Sequence, residues 1–405
     1  MRNKQSAHRV KSSNAFFLGR GHRVTRRKLS GLLACMALLC APLHSAQLKP
    51  KLPQPRAENQ ASQKPALKSS ARQAKPGLSG LSGLSALAGL SGLDSIVEQS
   101  IAKDELPGAV LVVGHGGRVI FRKAYGARAV LPQRETMTVD TIFDMASLTK
   151  VLATAPSVLL LVEQGKVRLN DPVARYVPEF GTHGKEQVTV RQVLTHMSGL
   201  RPVPAVAAEA KGTEAVLKAI YDDTLVAAPG ARFAYSDTGY IMLGELVHRV
   251  SGLALNEFAE KNLYAALGMR ETRFLPPAKW KPRIAPTEEI DLPAGAKAGS
   301  GKGRVLRGEV HDPRARAMGG VAGHAGLFST AADVAKFCSM ILDGGRAASG
   351  KRIFTAEMIE KSTTPQTPPW SPTLRGLGWD IDSVYSSNRG DVFPVGTFGH
   401  TGFTG

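Results

Sequence analysis

A serine and a lysine three residues apart stand directly before a long apolar segment of the chain. Ser147 and Lys150 precede residues 151–164, which are apolar nearly all round and predict a buried central helix, bent at Pro156 and ending at Gly165. Side chains at positions i and i+3 share a helix face, so the Lys150 amine can reach the Ser147 hydroxyl. This pattern indicates a serine acyl-transfer enzyme. A helix-capping serine followed by a solvated lysine is the simpler alternative for the pair alone.

The positive charge of the chain is concentrated at its N-terminal end. The 405 residues have a formal net charge of +19. Residues 1–100 hold 16 basic and 3 acidic residues, so they carry +13 of that charge, and residues 101–405 carry only +6. No nucleic-acid recognition motif or cluster of stacking aromatic residues accompanies the charge. A nucleic-acid partner is therefore not expected, whereas association of the basic N-terminus with a membrane surface stays open.

Residues 1–46 have the composition of an export signal. Basic residues precede an apolar run over residues 29–41, and small residues follow it up to Ala46. The run is too short for a membrane span, which needs about twenty residues. We expect cleavage near Ala46, with lipidation at Cys35 as the second interpretation and a twin-arginine signal as a variant. The sequence thus predicts a protein exported to the periplasm or the cell exterior.

Residues 47–92 are predicted to be a disordered linker. Their first part is rich in Lys, Pro, Gln, Ala and Ser and cannot bury enough apolar surface to fold. A Gly-Leu-Ser repeat follows over residues 77–94, and a flexible linker is the preferred interpretation of it. Apolar residues at helical spacing begin at Leu93, so the folded domain is predicted to cover residues 93–405.

The remaining patterns predict an α+β fold. β-rich runs at residues 109–114 and 118–126, joined by a His-Gly-Gly turn, indicate a hairpin. Residues from about 176 to 342 have the pattern of helices and loops, and β-like runs return only at 376–381 and 395–402. Strands at both ends predict an antiparallel sheet flanked by helices, with an inserted all-helical region.

Disulfide and metal chemistry have little support in the sequence. Two of the three cysteines lie in the predicted signal, and Cys338 falls in an apolar helical pattern typical of a core residue. No His-Glu-x-x-His or paired-cysteine spacing occurs, so no metal or other cofactor is expected. His196 and His324 lie in glycine-bounded loops and are expected to fix those loops by hydrogen bonds. His311 either borders a cleft or stabilises a turn.

Two further motifs carry groups that a Ser/Lys pair needs for acyl transfer. Tyr235 and Asp237 follow a Pro-Gly turn and precede a predicted helix, which puts a phenol and a carboxylate on an interhelical loop. His400, Thr401 and Gly402 lie on the last predicted strand, where a flat Thr-Gly backbone can lie beside a substrate.

These three motifs, in this order, resemble those of the serine β-lactamase and penicillin-binding protein superfamily, in its class C β-lactamase, D-aminopeptidase and serine esterase branch. The resemblance runs from about residue 93 to residue 405 and includes glycine-rich blocks at 308–312 and 319–327. It implies that Ser147 attacks the acyl carbon and that Lys150 and Tyr235 share proton transfer.

The resemblance also implies a substrate-binding role for the other motif residues. Asp237 would hold the lysine network or the substrate, and His400, Thr401 and Gly402 would line the cleft. The backbone N–H groups of the nucleophilic serine and of Phe403 would hold the oxyanion.

Two positions depart from the penicillin-recognising pattern. Asp237 stands where asparagine is usual, and its charge tends to keep Lys150 protonated. His400 stands where many members have lysine, and with a reference pKa of about 6.5 it is a weaker anchor for a carboxylate. Both changes favour esters or neutral amides over β-lactams and D-alanyl peptides, unless an arginine elsewhere supplies the missing charge.

The superfamily pattern implies two strands and a helix after the His400 strand, whereas the sequence ends at Gly405. Without those strands the hairpin and the His400 strand cannot be neighbours in one sheet, and open strand edges are expected. The leading interpretation is a secreted serine hydrolase that forms an acyl-enzyme on β-lactam, ester or D-amino-acid peptide substrates. The alternatives are a non-turnover penicillin or cell-wall peptide binding protein, a truncated inactive homologue and a basic cell-envelope adhesin.

Overall fold

The structure is a computed structural model that describes six stretches of the chain. These are residues 14–18, 82–206, 211–290, 303–390, 393–394 and 396–404. The predicted linker up to residue 81 and most of the predicted export signal therefore lie outside the described residues.

The described residues contain helices and strands in an α+β arrangement, as predicted. The helices are α1 (Ser82–Ala102), α2 (Ala155–Glu163), α3 (Val190–Leu194), α4 (Thr213–Asp222), α5 (Asp237–Ser251), α6 (Leu255–Ala259), α7 (Ala265–Leu267), α8 (Pro313–Ala317), α9 (Ala331–Leu342) and α10 (Ala356–Ser362). The strands are β1 (Asn14–Leu18), β2 (Gly108–His115), β3 (Arg118–Ala129), β4 (Glu135–Thr136), β5 (Ile142–Asp144), β6 (Arg273–Phe274), β7 (Glu289–Ile290), β8 (Arg304–Val305), β9 (Leu327–Thr330), β10 (Leu374–Arg375), β11 (Asp380–Asp382) and β12 (Phe398–Gly402).

The strands form small antiparallel sheets with the orders β2-β3-β4, β5-β9-β6, β7-β8 and β1-β12-β11-β10. The β2–β3 hairpin is the one that the sequence predicts, and Gly116 and Gly117 at its turn have positive φ angles of 57° and 78°. The hairpin and β12 lie in separate sheets.

Strand β12 has a partner on both edges. It pairs with β11 on one side and with β1 on the other, where residue 16 lies opposite His400. The edge of β12 that was expected to be open is therefore paired with β1 in a chain that keeps residues 1–46. The backbone N–H and C=O groups of an edge strand can pair with any extended segment, and here the segment comes from within residues 1–46.

Helix α1 begins inside the predicted linker. It starts at Ser82, eleven residues before the expected domain boundary at Leu93. Leu90 and Leu93 are 4% and 8% exposed and share a cluster with Leu111 and Val113 of the hairpin. Leu90 thus continues the apolar face of the helix toward its N-terminus, and residues 82–92 are helical where the sequence predicts a linker.

The centre of the protein is the helical segment that starts at the Ser147 turn. A 3₁₀ turn (Ala146–Leu148), a π-helical turn (Lys150–Thr154) and α2 follow one another, and the backbone of Gly165 ends the segment with a φ angle of 71°. Residues 146–163 are long and apolar enough to cross a membrane, but 83% of them are buried inside the protein. They form a core helix, as the sequence predicts, and α5 packs against it.

The inserted region is mostly helical, but it is not all-helical. Strands β6, β7, β8 and β9 lie within residues 176–342, and β9 pairs with β5 immediately before the Ser147 turn. These strands have two to four residues, too few for a period-two pattern to be recognised. Helix α9 has a capped start, because the Thr330 side chain accepts a hydrogen bond from the backbone N–H of Asp333. Cys338 on α9 is buried in the core.

Candidate active site

Ser147 lies in a tight turn between β5 and the central helix. The Asp144 carboxylate at the end of β5 accepts hydrogen bonds from the backbone N–H groups of Ala146 at 2.9 Å and His311 at 2.7 Å. Ala146 has a φ angle of 42°, in the left-handed region that is strained for a residue with a side chain. Burial of Asp144 raises its pKa to about 6, and the two backbone hydrogen bonds oppose this shift. This buried carboxyl fixes the turn that carries Ser147.

The Lys150 amine is completely buried and contacts three oxygen atoms. Its Nζ lies 3.0 Å from Ser147 Oγ, 3.0 Å from the backbone oxygen of His324 and 2.8 Å from Asp237 Oδ1. An ammonium group has three N–H donors, so these three acceptors saturate it. The arrangement therefore fits a protonated lysine that donates one hydrogen bond to the serine hydroxyl.

Electrostatics support the same protonation state. Burial lowers the pKa of Lys150, but the charge of Asp237 and the contact with Tyr235 outweigh burial and raise that pKa above its ordinary value. Burial has the opposite effect on Asp237 and raises its pKa. The positive charge of Lys150 outweighs this effect of burial, so the pKa of Asp237 is lowered overall. Lys150 and Asp237 thus form a charged pair, as the sequence indicates.

Tyr235 lies beside the lysine within a group of aromatic rings. Lys150 Nζ is 5.0 Å from the centroid of the Tyr235 ring. The His196 ring stacks on Tyr235 with a centroid distance of 4.4 Å, and the Tyr385 ring lies 5.1 Å away. Nδ1 of His196 accepts a hydrogen bond from the backbone N–H of Ser236 at 3.0 Å, so this histidine fixes its loop as predicted.

His400 is buried behind these rings and uncharged at neutral pH. Burial lowers its pKa well below 6.5, and the positive charges of Arg375 and Lys150 lower it further. Its Nδ1 lies 2.7 Å from the backbone oxygen of Thr401. Arg375 is the buried arginine that the sequence did not single out, and it pairs with Asp380 at 3.2 Å. Its charge is therefore already compensated inside the protein.

The end of β12 packs directly against the Ser147 turn. A Cβ atom on Gly402 would lie 2.7 Å from the backbone oxygen of Met145, so only glycine allows this approach. Phe403 is 59% exposed and stacks on the His311 ring at 5.4 Å. The structure thus brings the motif on β12 next to the Ser147 turn. His311 borders this region, which agrees with the first of the two roles considered for it.

One group of side chains near the lysine offers ligand atoms for a cation. Oxygen atoms of Asp237 and Asp312 and a ring nitrogen of His324 lie within 4.8 Å of one another. The Lys150 ammonium lies 2.8 Å from Asp237 Oδ1, so a positive charge already neutralises one carboxylate of this group. His324 Nε2 lies 2.9 Å from Asp312 Oδ1, which matches the expected loop-fixing role of this histidine.

The sequence indicated no role for three of the charged residues around the site. Asp144 and Arg375 belong to no recognised motif, Asp312 ends the block at 308–312 without a role of its own, and each contacts groups that folding brings together. Only Asp144 had a local signal in the sequence. An aspartate can accept a hydrogen bond from the backbone N–H two residues later, and this interaction caps a turn.

Comparisons with known proteins agree with this fold. The model of the Beta-lactamase family matches residues 93–405. The chain is 32% identical over 330 residues to an Escherichia coli (strain K12) protein named "Putative D-alanyl-D-alanine carboxypeptidase", with 74% of each chain covered. It is 32% identical over 338 residues to the N-acetylmuramyl-L-alanine amidase of Bacillus subtilis (strain 168), with 77% of this chain and 76% of that protein covered.

A solved structure is also similar. The octameric penicillin-binding protein homologue from Pyrococcus abyssi matches with a TM-score of 0.58 and 26% identity, over 72% of this chain and 65% of that one. The fold and the site define a protein of the serine β-lactamase and penicillin-binding protein class. The chain belongs to the beta-lactamase family, whose members are serine hydrolases.

Proposed function

We propose that this protein is an exported serine hydrolase that forms an acyl-enzyme at Ser147 and cleaves peptides containing D-amino acids. The observation that carries the proposal is the 3.0 Å contact between Ser147 Oγ and the buried Lys150 amine, with Tyr235 beside it. A serine hydroxyl in contact with an amine, with a phenol beside that amine, is an arrangement that fits nucleophilic catalysis.

The proton route follows from the charge state of the lysine. A lysine in the ammonium form cannot take the serine proton, but it can stabilise negative charge on the serine oxygen. The acceptor of that proton is then Tyr235 in its phenolate form, or Lys150 once it has given up a proton of its own. Asp237 holds the lysine, and the backbone N–H groups of Ser147 and Phe403 are proposed to bind the oxyanion.

The substrate class rests on two kinds of support. The names of the Escherichia coli and Bacillus subtilis relatives point to cell-wall peptides as substrates. An uncharged His400 and an ion-paired Arg375 offer a free substrate carboxylate little attraction, which favours esters and amides whose recognised part is neutral. Thr401 and Gly402 would lie alongside such a substrate. Ester hydrolysis is therefore the second candidate, and stable capture of penicillin without turnover is the third.

The test compares the protein with Ser147→Ala on three probes. These are a fluorescent penicillin, p-nitrophenyl esters and a D-alanyl-D-alanine peptide with an amidated C-terminus. Turnover of the peptide that disappears in Ser147→Ala supports the proposal, whereas turnover of esters alone selects the esterase. Stable labelling by penicillin without turnover selects the binding protein. Equal behaviour of the two proteins would show that Ser147 is not the nucleophile.

Export is proposed from the sequence alone. The basic residues and the apolar run over residues 29–41 support it, as does the presence of cell-wall peptides outside the cytoplasm. N-terminal sequencing of the protein from its native cells tests this, and the expected mature protein begins after Ala46. A lipid-modified Cys35 would instead indicate a membrane-anchored form.

A further inference from the structure

The Lys150 ammonium has a second carboxylate nearby besides its direct partner. Asp312 Oδ1 lies 2.9 Å from His324 Nε2, and the backbone oxygen of the same His324 accepts a hydrogen bond from Lys150 at 3.0 Å. An Asp312 oxygen also lies within 4.8 Å of an Asp237 oxygen. Asp312 is thus joined to the lysine through one residue, His324, and lies close to the carboxylate that the lysine contacts.

Asp312 is held in place and kept ionised by several donors. Its Oδ1 accepts hydrogen bonds from the backbone N–H groups of Arg314 and Ala315 at the start of α8, at 3.0 and 2.8 Å. Burial raises the pKa of Asp312, but His324, the backbone donors and the Lys150 charge outweigh it and hold that pKa well below its usual range. Because the lysine charge stabilises the ionised Asp312, the ionised Asp312 must in turn stabilise the lysine ammonium.

The backbone around His324 is fixed independently of its side chain. The backbone oxygen of Gly323 accepts a hydrogen bond from Thr154 Oγ1 at 2.6 Å, and the backbone N–H of Leu327 donates to Thr149 Oγ1 at 3.1 Å. A Cβ atom on Gly323 would lie 1.9 Å from the backbone oxygen of Tyr240, so this loop is tightly packed against α5. These contacts hold the loop, so we do not expect loss of the Asp312–His324 contact to displace its backbone.

We propose that Asp312 and His324 are positioning residues that keep the Lys150 side chain in its ammonium form and directed at Ser147. Asp312 supplies negative charge, and His324 links that charge to the lysine through its own side chain and backbone oxygen. The effect on catalysis rests on the proposed function. The protonation state of Lys150 does not, because it can be measured without turnover.

Other titratable groups also face the lysine and set the background for the test. They are Tyr235, Asp237 and Tyr240 from α5 and its preceding loop, His196 from the loop after α3, and His400 from β12. Substitution at Asp312 leaves all of these residues in the chain. The Asp312 charge raises the pKa of Asp237, so its removal strengthens the ionised form of Asp237 and cannot by that route lower the pKa of Lys150.

The test uses Asp312→Asn in the full chain. Asparagine keeps an oxygen that can accept the hydrogen bonds from α8 and from His324, so this change removes mainly the charge. The matched control is Asp171→Asn, because Asp171 is a partly buried loop carboxylate that contacts Arg175 and Tyr176 instead of the site. A second variant, His324→Gln, keeps a donor toward Asp312.

The first measurement is an NMR titration of the lysine side chains, with the Lys150 signal assigned from Lys150→Met. We expect Lys150 to lose its proton at a lower pH in Asp312→Asn than in the parent, on the order of one pH unit for loss of a nearby opposite charge. Asp171→Asn and His324→Gln should titrate like the parent. An unchanged Lys150 titration in Asp312→Asn would overturn the inference, and so would a shift in Asp171→Asn as large as that in Asp312→Asn.

The second measurement is the pH profile of Ser147 acylation by the fluorescent penicillin. The alkaline limb should move to lower pH in Asp312→Asn, whereas a merely structural role would lower the rate at every pH without moving the limb. If the parent shows no Ser147-dependent acylation, the proposed function fails, and the NMR titration still decides whether Asp312 acts on Lys150.

Discussion

At the scale of single residues, the charged pair of Lys150 and Asp237 distinguishes this site. The lysine side chain is fully buried and that of Asp237 is 22% exposed, so water screens their attraction only weakly. A carboxylate at this position favours the ammonium form. The lysine therefore acts first by stabilising charge, and a base role requires it to lose a proton against that attraction.

Replacement of Asp237 by asparagine tests this arrangement. Asp237→Asn leaves the buried Lys150 ammonium without its counter-charge, so we expect the free energy of unfolding at pH 7 to fall by about 3 kcal/mol. The pKa of Lys150 should fall as well, and the alkaline limb of Ser147 acylation by penicillin should move to lower pH than in the parent. Chemical denaturation and stopped-flow labelling measure the two effects. Slower acylation in a folded variant would show that Asp237 has a direct role in the reaction.

The buried carboxyl of Asp144 gives stability a defined pH dependence. Its pKa is raised from 3.8 to about 6 in the folded protein, so folding favours the protonated form. Its stabilising effect is therefore fully present below pH 4 and is lost as the pH rises through 6. The two-unit difference corresponds to about 3 kcal/mol.

Comparison with Asp144→Asn isolates that contribution. The free energy of unfolding of the parent, minus that of Asp144→Asn, should decrease between pH 4 and pH 6 and stay level above pH 7. Urea denaturation at a series of pH values measures this difference. A difference that is independent of pH would mean that Asp144 is ionised throughout.

At the scale of elements, the approach of β12 to the Ser147 turn forms the site. Gly402→Ala puts a Cβ atom 2.7 Å from the backbone oxygen of Met145, so β12 must move away from the turn. We expect Ser147 acylation to fall at least tenfold and the melting temperature to decrease. The matched control is Gly92→Ala on α1, where a Cβ atom meets nothing within 4 Å. There alanine should stabilise the helix by up to about 1 kcal/mol and leave acylation unchanged.

Helix α1 allows a second test at this scale. Leu90 is 4% exposed within the cluster between α1 and the hairpin. Leu90→Ala should lower the free energy of unfolding by about 2–3 kcal/mol, because it removes buried methyl groups and leaves a cavity. An unchanged free energy of unfolding would indicate that the folded domain begins at Leu93, as the sequence predicts. Thermal unfolding of parent and variant decides between the two.

At the scale of the whole molecule, local patterns predicted the elements, and long-range contacts determined the site. The hairpin, the central helix and the cap of α9 follow from spacing and turn chemistry within short windows. Lys150 and the backbone oxygen of His324 are 174 residues apart, and Arg307 pairs with Glu135 across 172 residues. Such pairs leave no periodic signal, so the sequence could place the motifs in one site without revealing the charges around them.

The small sheets illustrate the same limit. Strand β9 has four residues, and its partners β5 and β6 have three and two. Pairing with β9 orders these segments, and it also aligns the Ser147 turn with the loop that carries His324. The part of the fold that most directly positions the candidate nucleophile was therefore the part with the weakest local pattern.

The central claim is that Ser147 becomes acylated with help from Lys150. Intact-protein mass spectrometry after brief exposure to a fluorescent penicillin or to a D-alanyl ester measures this directly, followed by mapping of the modified peptide. We expect one added acyl group on the peptide that contains Ser147, and no added mass in Ser147→Ala. Lys150→Met should acquire the group at least a hundredfold more slowly. An adduct on another residue, or equal labelling of Ser147→Ala, would contradict the proposed mechanism.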